Sequence, residues 1–168
     1  TDLQRSTVSL IVEELIDAKL VEEIGGESSG GRPPQLLSLK TSNAVAIGID
    51  LSKKKTIVAT SDLSGRLLEK EEVATNKNFS KTISDIIDCS RYFIDKNAGS
   101  IEGIGISVPG MVESASGHVL LIPHLDWRHP KIAETIKQAT GLPVKIENDA
   151  NAAALAELWF GRPEISNV

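Results

Sequence analysis

Apolar side chains recur along this chain with two different periods, and each change of period marks a change of structure. Over residues 5–18 they fall at Val8, Ile11, Val12, Leu15 and Ile16, a spacing that gathers them on one stripe of a helix. Leu20-Val21-Glu22-Glu23-Ile24 and Gln35-Leu36-Leu37-Ser38-Leu39 then read as two strands of a hairpin whose long tip is the Gly- and Pro-rich stretch 25–34. From residue 44 the texture becomes that of an α/β domain. Residues 44–51, 56–62 and a third stretch ending at Val73 are strands, with Asp62-Leu63-Ser64-Gly65 as the turn between the second and third, so the three are expected to pair antiparallel. A helix follows over 80–95, a strand over 101–108, a loop at Pro109-Gly110, and a helix over 130–140. A strand over 143–146 and an Ala- and Leu-rich helix over 150–160 complete the pattern. Three strands followed by alternating helices and strands predict an α/β fold, a mixed sheet with helices on its faces.

The pattern divides the chain into a head, residues 1–40, and a body, residues 41–168. No apolar run approaches the ~20 residues of a membrane span, and the first residues lack the basic-then-apolar pattern of a secretory leader. A cytoplasmic protein with no membrane partner is expected. Cys89 is the only cysteine, so the chain holds no internal disulfide and no four-cysteine zinc cage; its place in a helical pattern points to packing. The net charge is -5, and the head itself carries four Lys/Arg against seven Asp/Glu, which excludes nucleic-acid binding by bulk charge. DNA contact would have to come from a few placed basic residues.

Such residues exist in the head. Thr1-Asp2-Leu3-Gln4-Arg5-Ser6-Thr7-Val8-Ser9 is similar to the turn and second-helix start of bacterial helix-turn-helix proteins. Arg5 can bind guanine through two bonds, and Ser6, Thr7 and Ser9 can reach bases or phosphates from a helix N-terminus. Gly30-Gly31-Arg32-Pro33-Pro34 would hold the Arg32 guanidinium at a hairpin tip, where it can enter a narrow minor groove. Helix plus hairpin is the back half of a winged helix. The alternative reading of the same stretches is a solvated, capped first turn and a plain Gly-Arg-Pro turn.

The body's most informative stretch is Ile146-Glu147-Asn148-Asp149-Ala150-Asn151-Ala152, which sets a carboxylate and two amides where a strand becomes a helix. Asn148 and Asp149 fall at the helix N-terminus, suited either to an ordinary cap or to holding a polyol. Asp149 can accept from two vicinal hydroxyls while Asn148 both donates and accepts. Gly110 would let backbone approach a sugar ring, or is a turn glycine. Trp127 either stacks on a sugar face or packs in the core. His118, His124 and His129 have no helical pairing and read as local hydrogen-bonding residues, with no metal site.

Four segments of the body, in order, resemble the ROK family of bacterial sugar-responsive repressors and sugar kinases. They are Ile47-Gly48-Ile49-Asp50-Leu51; Gly105-Ile106-Ser107-Val108-Pro109-Gly110 with Val112 and Gly117; Pro123-His124-Leu125-Asp126-Trp127; and Glu147-Asn148-Asp149-Ala150-Asn151-Ala152-Ala153. The resemblance implies the N-terminal lobe of an actin-like (RNase H-like) fold behind a partial winged-helix head. It further implies sugar binding by Gly110, Asn148 and Asp149, Asp149 being the equivalent of the kinases' general base. The chain departs from the kinases at Ser52-Lys53-Lys54-Lys55, where they carry a glycine pair and Thr around ATP phosphates, so no catalytic residue is expected. It is expected to be truncated at both ends, without a complete helix-turn-helix, the second lobe or the family's cysteine-rich zinc motif; zinc would belong to a full-length protein.

The expected function is that of a sugar-responsive regulator, a repressor of carbohydrate metabolism that binds operator DNA and a sugar effector without kinase activity, as a homodimer when full length. An alternative is a ROK sugar kinase of the glucokinase type, transferring phosphate from ATP to a hexose. A third possibility is a non-catalytic scaffold module.

Overall fold

In the computed structural model, residues 4–18, 21–25, 35–40, 44–113 and 116–161 are described, and they belong to two compact units, residues 1–43 and 44–168. In the first unit, helix α1 (Arg5–Asp17) is followed by the antiparallel strands β1 (Val21–Gly25) and β2 (Gln35–Leu39). The apolar stripe of α1 is only partly covered: Val12, Leu15 and Ile16 are half-buried, while Val8 and Ile11 are exposed. Gln4 stands at the N-cap without a side-chain capping bond, so Ser6 and Thr7 occupy an uncapped first turn and, like Ser9, are exposed. Arg5 opens α1, and Arg32 lies outside the described residues.

The second unit is built on a five-stranded sheet in the order β10-β6-β3-β4-β5. Its strands are β3 (Val45–Leu51), β4 (Lys55–Asp62), β5 (Leu67–Ala74), β6 (Ile101–Val108) and β10 (Val144–Asn148). As the short turns require, β3, β4 and β5 pair antiparallel; β6 and β10, reached through helical crossovers, add in parallel. Strand alternation sends Ile47, Ile49, Leu51, Ile104, Ile106 and Val108 to one face, all buried. Helices α2 (Phe79–Lys96) and α3 (Ile132–Thr140) contribute Ile83, Ile86, Phe93, Ile132 and Ile136 to the same core. Helix α2 starts where the Asn78 side chain accepts from the Lys81 N–H at 3.1 Å, and α3 stops at Gly141, whose φ of 74° is the left-handed cap conformation.

Between β6 and α3, where the sequence pattern predicts an irregular loop, lies a small antiparallel sheet. Its strands are β7 (Met111–Val112), β8 (Val119–Ile122) and β9 (Trp127–Arg128), with a 3-10 turn at Pro123–Leu125. Strands of two to four residues are too short to show a period. Helix α4 (Asp149–Phe160) follows β10 directly and ends the described part of the body.

Candidate functional site

The site grows from the junction of β10 and α4. Asn148 is the N-cap of α4: its Oδ1 accepts from the Ala150 N–H at 3.0 Å and the Asn151 N–H at 3.4 Å. Its Nδ2 donates to the Gly110 carbonyl at 2.8 Å, which brings together two candidates that stand thirty-eight positions apart. Asp149 is exposed, and its Oδ1 accepts from the Ala150 N–H at 2.9 Å. The cap and the polyol cradle expected as alternatives are thus compatible, because capping uses Asn148 while Asp149 stays open to solvent.

Gly110 is glycine for a local reason. A Cβ there would stand 2.3 Å from the Leu121 carbonyl oxygen, so the backbone that approaches this position belongs to β8. Trp127 is resolved in favour of packing: it is buried, its Nε1 donates to the Lys77 carbonyl at 2.7 Å, and its ring meets Phe79 edge-on with centroids 5.1 Å apart. His118 lies on the surface, 3.8 Å from both Glu113 and Glu134, whereas the Nε2 of His124 is buried without a partner among the described residues. Among the described residues no group of three or more His, Cys, Asp and Glu converges as a metal cage would require. No described helix is long and apolar enough to cross a membrane.

Glu147 is the member of this junction to which the sequence pattern gives no role. Its Oε1 accepts from the Asn148 N–H at 2.9 Å and from the Asn151 side-chain amide at 3.0 Å. The Asn151 bond foremost, and the Asn148 bond after it, hold the carboxyl below its usual range. The legible signal was spacing: Glu147 and Asn151 are four apart, within reach of each other at a helix start. Across the sheet, Glu147 registers with Ser107 and Ser107 with Asp50, and the Ser107 hydroxyl donates to Asp50 Oδ1 at 2.6 Å.

These three residues lie on the sheet face away from α2 and α3, where a cavity of about 860 Å³ opens between the strands and α4. Gly48 and Gly105 form its floor, and Leu155, Ala156 and Trp159 part of its wall. Gly110, Asn148 and Asp149 are not among its lining residues, so the cavity and the polar junction are neighbouring features that share Glu147. At the turn between β3 and β4, the Ser52 hydroxyl donates to the Lys55 carbonyl at 2.7 Å, and Lys55 pairs with Glu72 across β4 and β5 at 2.6 Å.

The geometry has clear relatives. A model described as the ROK family matches residues 46–167. The xylose repressor of Caldicellulosiruptor bescii is 38% identical over 166 residues, which cover 95% of this chain and 42% of that protein. A solved ROK family transcriptional regulator, described as a homologue of the E. coli MLC protein, superposes with a TM-score of 0.76 at 27% identity, over 95% of this chain and 42% of its own. A ROK family glucokinase from Streptomyces griseus, solved with glucose and AMPPNP, gives 0.60 at 33% identity over 72% of this chain and 38% of its own. The chain spans about two-fifths of the length of these relatives. The mixed sheet is therefore that of ROK regulators and sugar kinases, the actin-like architecture, and the chain belongs to the ROK family.

Proposed function

We propose that this chain is part of a sugar-responsive transcriptional repressor of carbohydrate metabolism, in which the head binds operator DNA and the β10–α4 junction binds the effector. The observation that carries this reading is the extent of the likeness: the repressor and regulator relatives match 95% of the chain, whereas the glucokinase matches 72%. Under this reading the head, residues 1–40, is the back half of a winged helix. Arg5, Ser6, Thr7 and Ser9 face the major groove and Arg32 serves as the wing contact. The body, residues 41–168, is the first lobe of the sugar-binding part, and a homodimer presents two heads to a symmetric operator.

The hydrogen-bond inventory says which ligand group fits. Asn148 Oδ1 already accepts two N–H bonds and Nδ2 gives one hydrogen to Gly110, which leaves one amide hydrogen to offer. Asp149 keeps Oδ2, which has no partner among the described residues. A single hydroxyl that accepts from Asn148 and donates to Asp149 satisfies both, and a ligand lacking that hydroxyl leaves both unpaired. The absence of glycines at Ser52-Lys53-Lys54-Lys55, together with the internal bonds of Ser52 and Lys55, favours binding without phosphate transfer.

The test is a gel-shift titration of the full-length gene product on its own upstream region, with and without D-xylose, D-glucose and N-acetylglucosamine. One sugar is expected to change operator affinity at least about tenfold, since only a difference in affinity between two states can couple the sites. Equal affinity with every sugar overturns the switch. ATP-dependent phosphorylation of a hexose by the same preparation would establish the kinase reading, which the exposed carboxylate of Asp149 alone favours.

A further inference from the structure

We infer that Glu147 is a positioning residue for the hydroxyl-binding pair, holding the main-chain N–H before Asp149 and the Asn151 side chain after it through one carboxylate oxygen. The inference rests on the proposed reading of Asn148 and Asp149 as ligand groups and adds to it the residue that fixes their geometry.

Both bonds of the clamp converge on Oε1. One holds the N–H of Asn148, the residue before Asp149; the other holds the side chain of Asn151, two residues after it. Asn151 in turn donates its own N–H to Asn148 Oδ1 at 3.4 Å. The result is a closed ring of hydrogen bonds among Glu147, Asn151 and Asn148, with a branch from Asn148 to Gly110, beside which the exposed Asp149 accepts only from the Ala150 N–H. Because Asn148 has one amide hydrogen left for a ligand, its orientation has to be set by the other bonds, and the Glu147 clamp fixes the main chain on which that orientation depends.

The carboxylate has an alternative that it does not take. Glu147 stands on the cavity face of the sheet in register with Ser107, whose hydroxyl is turned to Asp50. Instead of completing that cross-strand row, Oε1 bonds forward into the first turn of α4. A charged acceptor makes stronger hydrogen bonds than a neutral one, and rigid support of a first contact is what a binding group needs to keep its geometry within a fraction of an ångström. Helix α4 gains from a negative charge near its N-terminus in any case, so the test must separate positioning from helix stability.

A reciprocal exchange does so. In the full-length protein, Asn151→Asp sets two carboxylates against each other and should weaken binding of the sugar that titrates the operator by about tenfold or more. The double variant Glu147→Gln with Asn151→Asp restores the contact in reverse: the glutamine oxygen accepts from the Asn148 N–H and its amide donates to the carboxylate introduced at position 151. It should recover affinity to within about threefold of the parent. Thermal unfolding confirms that each variant is folded, and the side-chain amide resonance of Asn151 in the parent reports the clamp before any sugar is added.

Recovery in the double variant supports the positioning role. Equal weakness of the single and double variants, both folded, overturns it, as does an Asn151→Asp protein that binds like the parent. A parent protein that binds none of D-xylose, D-glucose or N-acetylglucosamine overturns the reading of Asn148 and Asp149 itself, an outcome visible before any variant is made.

Discussion

The two faces of the five-stranded sheet are written by the same strands and have little else in common. On the α2 and α3 side, Ile47, Ile49, Ile104 and Ile106 are each at most 4% exposed and locked into one core. One residue along, the other face presents Gly48, Asp50, Gly105 and Ser107, and a Cβ added at Gly48 or Gly105 would meet nothing within 4 Å. Even the helix on that side is unlike α2 and α3. Helix α4 buries none of its residues, and Leu155, Leu158, Trp159 and Phe160 are exposed. Period-two alternation thus gives one strand two assignments: every second residue holds the fold together, and the residues between carry the polar row and leave room above it.

The comparison breaks most visibly at two adjacent positions. Ile106→Ala removes packed atoms from the core and should cost about 2–5 kcal/mol, a large share of a typical domain's stability. Gly105→Ala, one residue away and facing open space, should change stability by less than about 1 kcal/mol, with a gain allowed because a strand glycine is entropically costly. Urea unfolding of both variants decides the matter; equal losses would mean that the second face is packed as tightly as the first.

A smaller effect is expected where glycine is required by the protein's own backbone. At Gly110 the added methyl would stand 2.3 Å from the Leu121 carbonyl, so Gly110→Ala forces β8 to move and should cost about 1–3 kcal/mol. It should also disturb the Asn148 contact with the Gly110 carbonyl. An unfolding midpoint unchanged from the parent would show that the β6–β7 corner relaxes freely.

Legibility followed length and locality. The helix read over 80–95 is Phe79–Lys96, and the first body strand read over 44–51 is Val45–Leu51, because each spans enough residues for its period to show. The three-stranded sheet of β7, β8 and β9 stayed hidden because its strands hold together through partners rather than through their own pattern. Trp127 could be read either way until its partner Lys77, fifty positions earlier, was in view. The polar junction was legible as residue types at a helix start, whereas the clamp by Glu147 depends on how the first turn of α4 leaves β10. In the head, α1 and the β1–β2 pair followed from pattern, and Arg32 lies outside the described residues.

The finest distinction is one of protonation. Glu147 has its carboxyl lowered below the ordinary range, first by the Asn151 side-chain bond and then by the Asn148 N–H. A group depressed on folding adds stability above its unfolded value and loses that contribution as pH falls through the folded value. The parent should therefore be more stable than Glu147→Gln at neutral pH, and the difference should shrink in acid, starting near the usual glutamate range and ending below it. Comparing the two proteins' unfolding midpoints from neutral pH downward cancels the carboxylates they share. The carboxyl is solvent-facing, so the difference is expected to be the smallest of those considered. A gap that stays constant with pH would mean that shape rather than charge sets the bond to Asn151, and would place Glu147 with the packed face of the sheet rather than with the polar one.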